Sequence, residues 1–379
     1  MDFELTEEQK EIQRAAREFA EKEFEPEIAR EYDRKEEFPF DLHKKAAELG
    51  FIGCHFDEEY GGQGLGVLEN FLILEEFCRA DSTLGTALLV SSFGSDMILM
   101  FGTEEQKKKY LPKVARGEWI ASGAITEPAH GSDITLMDTT AVLDGDKYVI
   151  NGTKTLISNA TIADFAVVLC QTKPEAGRRG QSVFVVDKGM EGLEATKIAG
   201  KMGIRASPLG EYSFSNVRVP KEALIGVENM GFYHTLEFLD VGRAAVAMQA
   251  VGMAQGAFDR ALKYAKERMQ FGRRLTDFQV IQHKLADAAT QIEAARLFAY
   301  KAAWYIDKGR IVPKLSCMAK NFATRMAVRV IDDALQIFGG YGYIAEYDIE
   351  RYYRDIRVTD LYEGTTEIQK NMIFRFLME

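Results

Sequence analysis

The stretch Ala141-Val142-Leu143-Asp144-Gly145-Asp146-Lys147-Tyr148-Val149-Ile150-Asn151-Gly152 decides the fold class of this chain. Two short apolar segments flank an Asp-Gly pair, the pattern of strand, tight turn, strand. Asn151-Gly152 supplies the next turn. Outward from this hairpin, roughly Ala121 to Val219, the period stays at two, and Phe165 to Cys170, Ser182 to Val186 and Tyr212 to Val219 read as further strands, with Pro220 closing the last. No helical crossovers separate them, so an antiparallel barrel or sandwich is expected and a parallel dinucleotide-binding sheet is disfavoured.

On both sides the period is helical. From Glu7 to about Gly117, apolar positions such as Ile12, Ala15, Ala16, Phe19 and Ala20 recur at three-to-four spacing. The Gly-rich run Glu58 to Gly66 lacks a preceding strand and a correctly placed third glycine, so it reads as a turn. After Gly231, the residues Ile281, Leu285, Ala288, Ile292, Ala295 and Ala299 form a narrow apolar seam, and Gly309, Gly339-Gly340 and Gly364 interrupt the helical pattern. At least three long helices and a shorter last one are expected. The chain therefore divides into an N-terminal α-helical domain over 1–120, a β-domain over 121–230 and a C-terminal helical bundle over 231–379: mainly α with a β-domain.

A formal net charge of −11 argues against non-specific nucleic-acid binding, so any anionic ligand must meet local positive charge. Cys54, Cys78, Cys170 and Cys317 form no C-x-x-C pair, which fits reduced thiols. The start, Met1-Asp2-Phe3-Glu4-Leu5, has neither the order of a secretory signal nor the Arg-rich character of a transit peptide, and no apolar run approaches the roughly 20 residues of a membrane span. A cytoplasmic protein is expected. The five histidines, His43, His55, His130, His234 and His283, show no metal-ligand spacing, and no G-x-S-x-G elbow or phosphate-binding P-loop is present.

Gly340-Tyr341-Gly342-Tyr343-Ile344-Ala345 matches a relaxed dinucleotide fingerprint but follows a helix; alone it reads as a helix C-cap and tight turn. Four segments in order change its weight: Ile125-Thr126-Glu127-Pro128 with Gly131-Ser132-Asp133; Glu267-Arg268-Met269-Gln270-Phe271-Gly272; Gln336-Ile337-Phe338-Gly339-Gly340-Tyr341-Gly342; and Tyr362-Glu363-Gly364-Thr365-Thr366-Glu367-Ile368-Gln369. With these the chain resembles the acyl-CoA dehydrogenases, of short- or medium-chain type, from end to end. The resemblance implies a helical domain, an antiparallel β-barrel and a C-terminal four-helix bundle, with FAD between barrel and bundle and touching a neighbouring subunit. It also implies a homotetramer built as a dimer of dimers, an acyl-CoA substrate and an electron-transferring flavoprotein as partner.

By the same resemblance, Ile125, Thr126, Ser132, Leu156, Ile157 and Ser158 look like flavin contacts. Arg268, Gln270 and Phe271, with Phe278, Gln279, Gln336, Gly339 and Gly340, resemble the set that meets the FAD pyrophosphate and adenine, a guanidinium fork suiting phosphate oxygens and glycines allowing close backbone approach. Thr365 and Glu367 would touch the nucleotide from the last helix. Asp240 and Arg243 look like CoA contacts opening a bundle helix, and Ser132 and Gly364 would also face substrate. Glu363 takes the family's role of catalytic base. An α-proton of a thioester is weakly acidic, so its removal needs a positioned base, and burial can lift a glutamate from about 4.3 to about 6–7.

Two departures bear on specificity. Relatives usually carry an aromatic residue where this chain has Leu156, so the resemblance implies a different local packing against the flavin. The expected pocket floor, Thr86 to Ser91, has no charge, so a neutral short, medium or alicyclic acyl group is preferred. Asp96, just beyond, reads mainly as an outward helix-surface residue, with a role as second base for a ring substrate as the minor reading. An oxidase of the same fold and a non-catalytic acyl-CoA-binding scaffold are the alternatives; rapid aerobic flavin reoxidation would mark the first, and a colourless protein the second.

Overall fold

Thr6 and Thr103 show how the sequence fixes helix starts: each hydroxyl accepts a backbone N–H three residues on, while Gln9 or Gln106 reaches back to the threonine N–H. In the computed structural model, which describes residues 4–378, seven helices form the first region: α1 (Glu7–Glu23), α2 (Pro26–Lys35), α3 (Phe40–Glu48), α4 (Val67–Ala80), α5 (Ser82–Val90), α6 (Ser95–Phe101) and α7 (Glu104–Ala115). Met1, Asp2 and Phe3 of the acidic start lie outside the described residues, as does Glu379. One expectation is corrected here. Residues 82–101 are long and apolar enough to cross a membrane by length and composition. Gly94, at φ 104°, breaks them into α5 and α6, and Leu84, Ala87, Leu88, Met97 and Ile98 are buried in the protein's own core.

Eight strands follow: β1 (Ala121–Ala124), β2 (Thr140–Asp144), β3 (Lys147–Ser158), β4 (Phe165–Gln171), β5 (Gln181–Asp187), β6 (Leu193–Ile198), β7 (Leu209–Pro220) and β8 (Leu224–Ile225). They pair in the order β6-β7-β3-β2-β4-β5-β8, with β1 beside β4. The sheet is mixed where an antiparallel one was expected. β1 runs parallel to β4, and β2 touches β4 in parallel at Thr140 and Gln171, because the hairpin β2–β3 returns the chain to its starting direction before β4. The expected Asp144-Gly145 turn is present, pairing Asp144 with Lys147.

Asn151-Gly152 is not a turn. β3 runs straight through it with a register shift, and Gly152, at φ 144°, is required because a Cβ there would lie 2.6 Å from the Thr139 backbone. Asn151 instead bonds Asn216 on β7.

The last region holds α8 (Gly231–Glu267), a small ribbon of β9 (Met269–Gln270) and β10 (Arg273–Arg274), α9 (Gln279–Asp307), α10 (Pro313–Phe338), α11 (Ile349–Ile356) and α12 (Thr366–Leu377). The predicted seam buries Ala288, Ile292, Ala295 and Ala299 of α9 in the core shared with α8 and α10. Two glycines of α8 let it meet α4 backbone to backbone: a Cβ on Gly252 would lie 2.5 Å from the Glu75 carbonyl, and one on Gly256 2.2 Å from that of Arg79. Arg351 of α11 is buried and donates to Asp81 (2.6 Å), which caps α5, and to Asp348 (2.9 Å), so a charge network joins the first and last regions.

Candidate active site

Glu363 and Gly364 turn the chain into α12, and both are left-handed, at φ 54° and 85°. Such a φ costs energy for glutamate, so the surroundings must hold it. Glycine suits position 364, because a side chain would be strained at that φ and its Cβ would meet Gln369 Nε2 at 2.7 Å. Gln369 donates to the carbonyls of Glu363 (2.9 Å) and Gly364 (3.0 Å), and Lys320, buried on α10, donates to Gly364 at 2.6 Å. Arg243 Nε reaches the Glu363 carbonyl at 3.4 Å. Just before the loop, the Tyr362 hydroxyl donates to Gln249, which donates to Thr86 at 2.8 Å.

These clamps leave the carboxylate itself free. Glu363 Oε2 is out of solvent and has no hydrogen-bond partner. Burial pushes its carboxyl up to about 7, against the pull of Arg243 and Lys320. Burial likewise brings Lys320 down to about 8, against the pull of the Glu363 and Asp360 carboxylates. Directly beneath lies Gly242 of α8, where a Cβ would come within 2.8 Å of Oε2.

The carboxylate faces a cavity of about 860 Å³ between α4, α5, α6, the start of α8 and the α9–α10 junction. Its wall is largely apolar, with Leu74, Leu89, Phe93, Leu99 and Met100, and it includes Ser158, Asp240, Arg243 and Glu363 from the expected set. Asp240 and Arg243 do not open a helix. They sit well inside α8, buried and paired with each other, and burial raises the Asp240 carboxyl. Asp96 is not an outward residue either. It lines the same cavity and is bonded at 2.6 Å to His55, which sequence reasoning had left aside.

The remaining expected residues fall in two groups. Ile125 and Thr126 lie against β3: Lys154 donates to the Ile125 carbonyl at 2.9 Å and Thr155 N–H to that of Thr126 at 2.9 Å. In this group Ile157 is buried and Ser132 exposed, and Leu156 occupies a second register shift of β3, at φ 57° and 58% exposed. In the other group, Arg268, Gln270, Gly339 and Gly340 line a separate cavity of about 400 Å³. There the Arg268 guanidinium stands 5.4 Å over the Tyr341 ring, and a Cβ on either glycine would meet nothing within 4 Å. Gly339 is needed for its φ of 60° as the C-cap of α10, not for lack of room. Phe271, 93% exposed, meets Phe278 edge-on at 6.3 Å; Gln279 opens α9 and Gln336 is exposed on α10. Thr365 caps α12 by accepting from Ile368 N–H at 3.3 Å, and Glu367 is exposed in that helix's first turn.

Lys320, Gly242, Gln249 and His55 were missed. A lysine amid the alanines of α10 and a glycine inside a long helix were the available signals, since a mid-helix glycine costs about 1 kcal/mol and implies a close approach. Among the described residues, one trio could in principle hold a metal: Glu127, His130 and Asp138. Both Glu127 oxygens are already engaged, by Lys154 and by the backbone N–H groups of Asp138 and Thr139.

Comparison with known proteins agrees with this architecture. Profiles for the N-terminal, middle and C-terminal domains of acyl-CoA dehydrogenase match residues 6–118, 122–217 and 229–378. The chain is 44% identical to a 3-(aryl)acrylate reductase of Clostridium sporogenes, over 99% of this chain and 100% of that one. It is 43% identical to a short-chain-specific acyl-CoA dehydrogenase of Clostridium acetobutylicum, over 98% of each. A solved structure from work on the electron-transferring flavoprotein of Acidaminococcus fermentans superposes with a TM-score of 0.97 at 44% identity, covering both chains fully. With three consecutive domain matches and relatives aligned over essentially their whole length, the chain belongs to the acyl-CoA dehydrogenase family of FAD-dependent oxidoreductases.

Proposed function

We propose that the chain catalyses α,β-dehydrogenation of a neutral acyl-CoA thioester to the 2-enoyl-CoA, with Glu363 as the base and electrons passing to an electron-transferring flavoprotein. The carrying observation is an unpartnered glutamate oxygen, tuned to about 7, held on a strained loop over a largely apolar cavity. In its ionised form, which gains population as pH rises through about 7, Glu363 takes the α-proton; its own backbone N–H, fixed by the clamped loop, is available to the thioester carbonyl. Arg243 and Asp240 orient the ligand at the cavity wall, and the closed network of Thr86, Gln249 and Tyr362 favours a short acyl group.

The residues fit FAD. Exposed Leu156 offers an apolar face beside Ser158, and Arg268 beside the open Gly339-Gly340 backbone offers what a pyrophosphate needs. FAD held there would supply the hydride acceptor for the β-carbon. The 400 Å³ groove and the exposed Phe271 support completion of that site by a neighbouring subunit, hence a dimer of dimers. The division at 1–120, 121–230 and 231–379, a sheet closing as a barrel, and α8, α9, α10 and α12 as a four-helix bundle belong to the same reading.

The test is anaerobic flavin bleaching by butyryl-CoA. Glu363→Gln should retain FAD and bind thioester but bleach more slowly by roughly 10²–10⁴-fold or more. Undiminished bleaching refutes the assignment.

A further inference from the structure

The main cavity contains a second carboxylate that this chemistry does not use. Asp96 lines a mainly apolar stretch of wall with Ser92, Phe93, Leu99 and Met100. An isolated carboxylate there is costly, and the protein offsets the cost with a dedicated partner. His55 Nε2 meets Asp96 Oδ1 at 2.6 Å, and the Phe56 ring packs edge-on against the imidazole, with centroids 4.8 Å apart. The histidine side chain is only 10% exposed, whereas that of Asp96 is 26% exposed toward the cavity. Burial opposes charge on His55, yet the Asp96 carboxylate overcomes it and pushes the imidazole up to about 10. No donor among the described residues bonds Asp96 Oδ2. One carboxylate oxygen is anchored, and the other is left for a ligand.

Building on the acyl-CoA reading, we propose that Asp96, positioned by His55, is a binding residue that accepts a hydrogen bond from an O–H or N–H donor of the thioester ligand. Two parts of such a ligand carry that chemistry: a hydroxyl on the acyl group, or an amide of the CoA arm. Because the His55–Asp96 pair is neutral as a unit, it selects a neutral donor and gives no advantage to a dicarboxylic acyl group. Binding then spares the carboxylate a dry, unmatched contact, which is where the discrimination arises.

The experiment is anaerobic titration of the FAD-loaded protein and of Asp96→Asn with butyryl-CoA, 3-hydroxybutyryl-CoA and 4-hydroxybutyryl-CoA. A loss of roughly 10- to 100-fold in affinity confined to a hydroxylated thioester assigns the acyl hydroxyl; an equal loss with all three assigns the arm. A change under about twofold for every ligand overturns the proposal. Should Asp96→Asn lose its fold or flavin, the wild-type protein decides. A hydroxylated thioester must then bind at least about tenfold more tightly than butyryl-CoA, or butyryl-CoA at least about tenfold more tightly than butyryl esters of thiols lacking the amides. Equal binding across that series overturns it. Butyryl-CoA bleaching separates the two claims: its absence from the wild type sinks the dehydrogenase reading, whereas its presence with indifferent Asp96 sinks only this one.

Discussion

Replacing Gly242 by alanine should separate stability from catalysis. The new Cβ would lie 2.8 Å from Glu363 Oε2 and 3.3 Å from its Cδ, where ordinary contact begins at 3.4 Å. The helix backbone of α8 cannot retreat, so the carboxylate must move by about 0.6 Å or more to reach that contact, and displacement of a reacting group by about 1 Å can cost about 10²-fold in rate. Alanine meanwhile suits a helix interior better than glycine by up to about 1 kcal/mol. The expected variant is therefore as stable as the parent or slightly more so by thermal unfolding, with full FAD content, yet bleaches with butyryl-CoA roughly 10- to 100-fold more slowly in stopped flow. Its acidic pH limb should also move upward, because a methyl group adds to the burial that already raises Glu363. A well-folded alanine variant with parental bleaching rate would show that Glu363 does not react from the position the structure gives it.

Further expectations follow from the same geometry. Bleaching should rise with pH through about 7 as Glu363 loses its proton, measured as kcat/KM against pH. Linkage gives the opposite sign for stability. A carboxyl raised from 4.5 to about 7 binds more protons folded than unfolded, so its contribution is complete below 4.5 and is lost, by up to about 3 kcal/mol, as pH rises through 7. Glu363→Gln should flatten that part of the stability profile. Lys320→Met removes a cation facing Glu363 and a donor to Gly364, so the acidic limb should shift upward and bleaching slow, while Lys320→Arg should restore the limb more than the rate. Arg351→Ala leaves Asp81 and Asp348 buried without their cation and should cost roughly 3–5 kcal/mol in chemical denaturation.

The sequence displayed the coarse order of elements because burial imposes its periods locally. The α9 seam and the strands Phe165–Gln171 and Gln181–Asp187 carry that signal within themselves. Asn151-Gly152 misled because its glycine answers to Thr139, a neighbour on another segment, and not to a reversal of the chain. β6 was invisible for the opposite reason: largely exposed along its length at the sheet edge, it has no apolar alternation to read. At the site, the family resemblance pointed to Glu363, but the partners that tune and seat it come from α8 and α10, more than 40 residues away in the chain. Asp96 illustrates the same limit, since only the fold brings His55 to it.

The two glycines through which α8 seats on α4 have a consequence for biosynthesis. The ribosome releases the first helices long before α8, with the whole β-domain translated in between; at about 5–20 residues per second that interval lasts on the order of ten seconds or more. Through it, the faces of α4, α5 and α6 destined for α8 stay bare in the nascent chain. A fragment ending after the β-domain should therefore engage chaperones or precipitate, and the first helical region should not behave as a module that can be cut out and expressed alone.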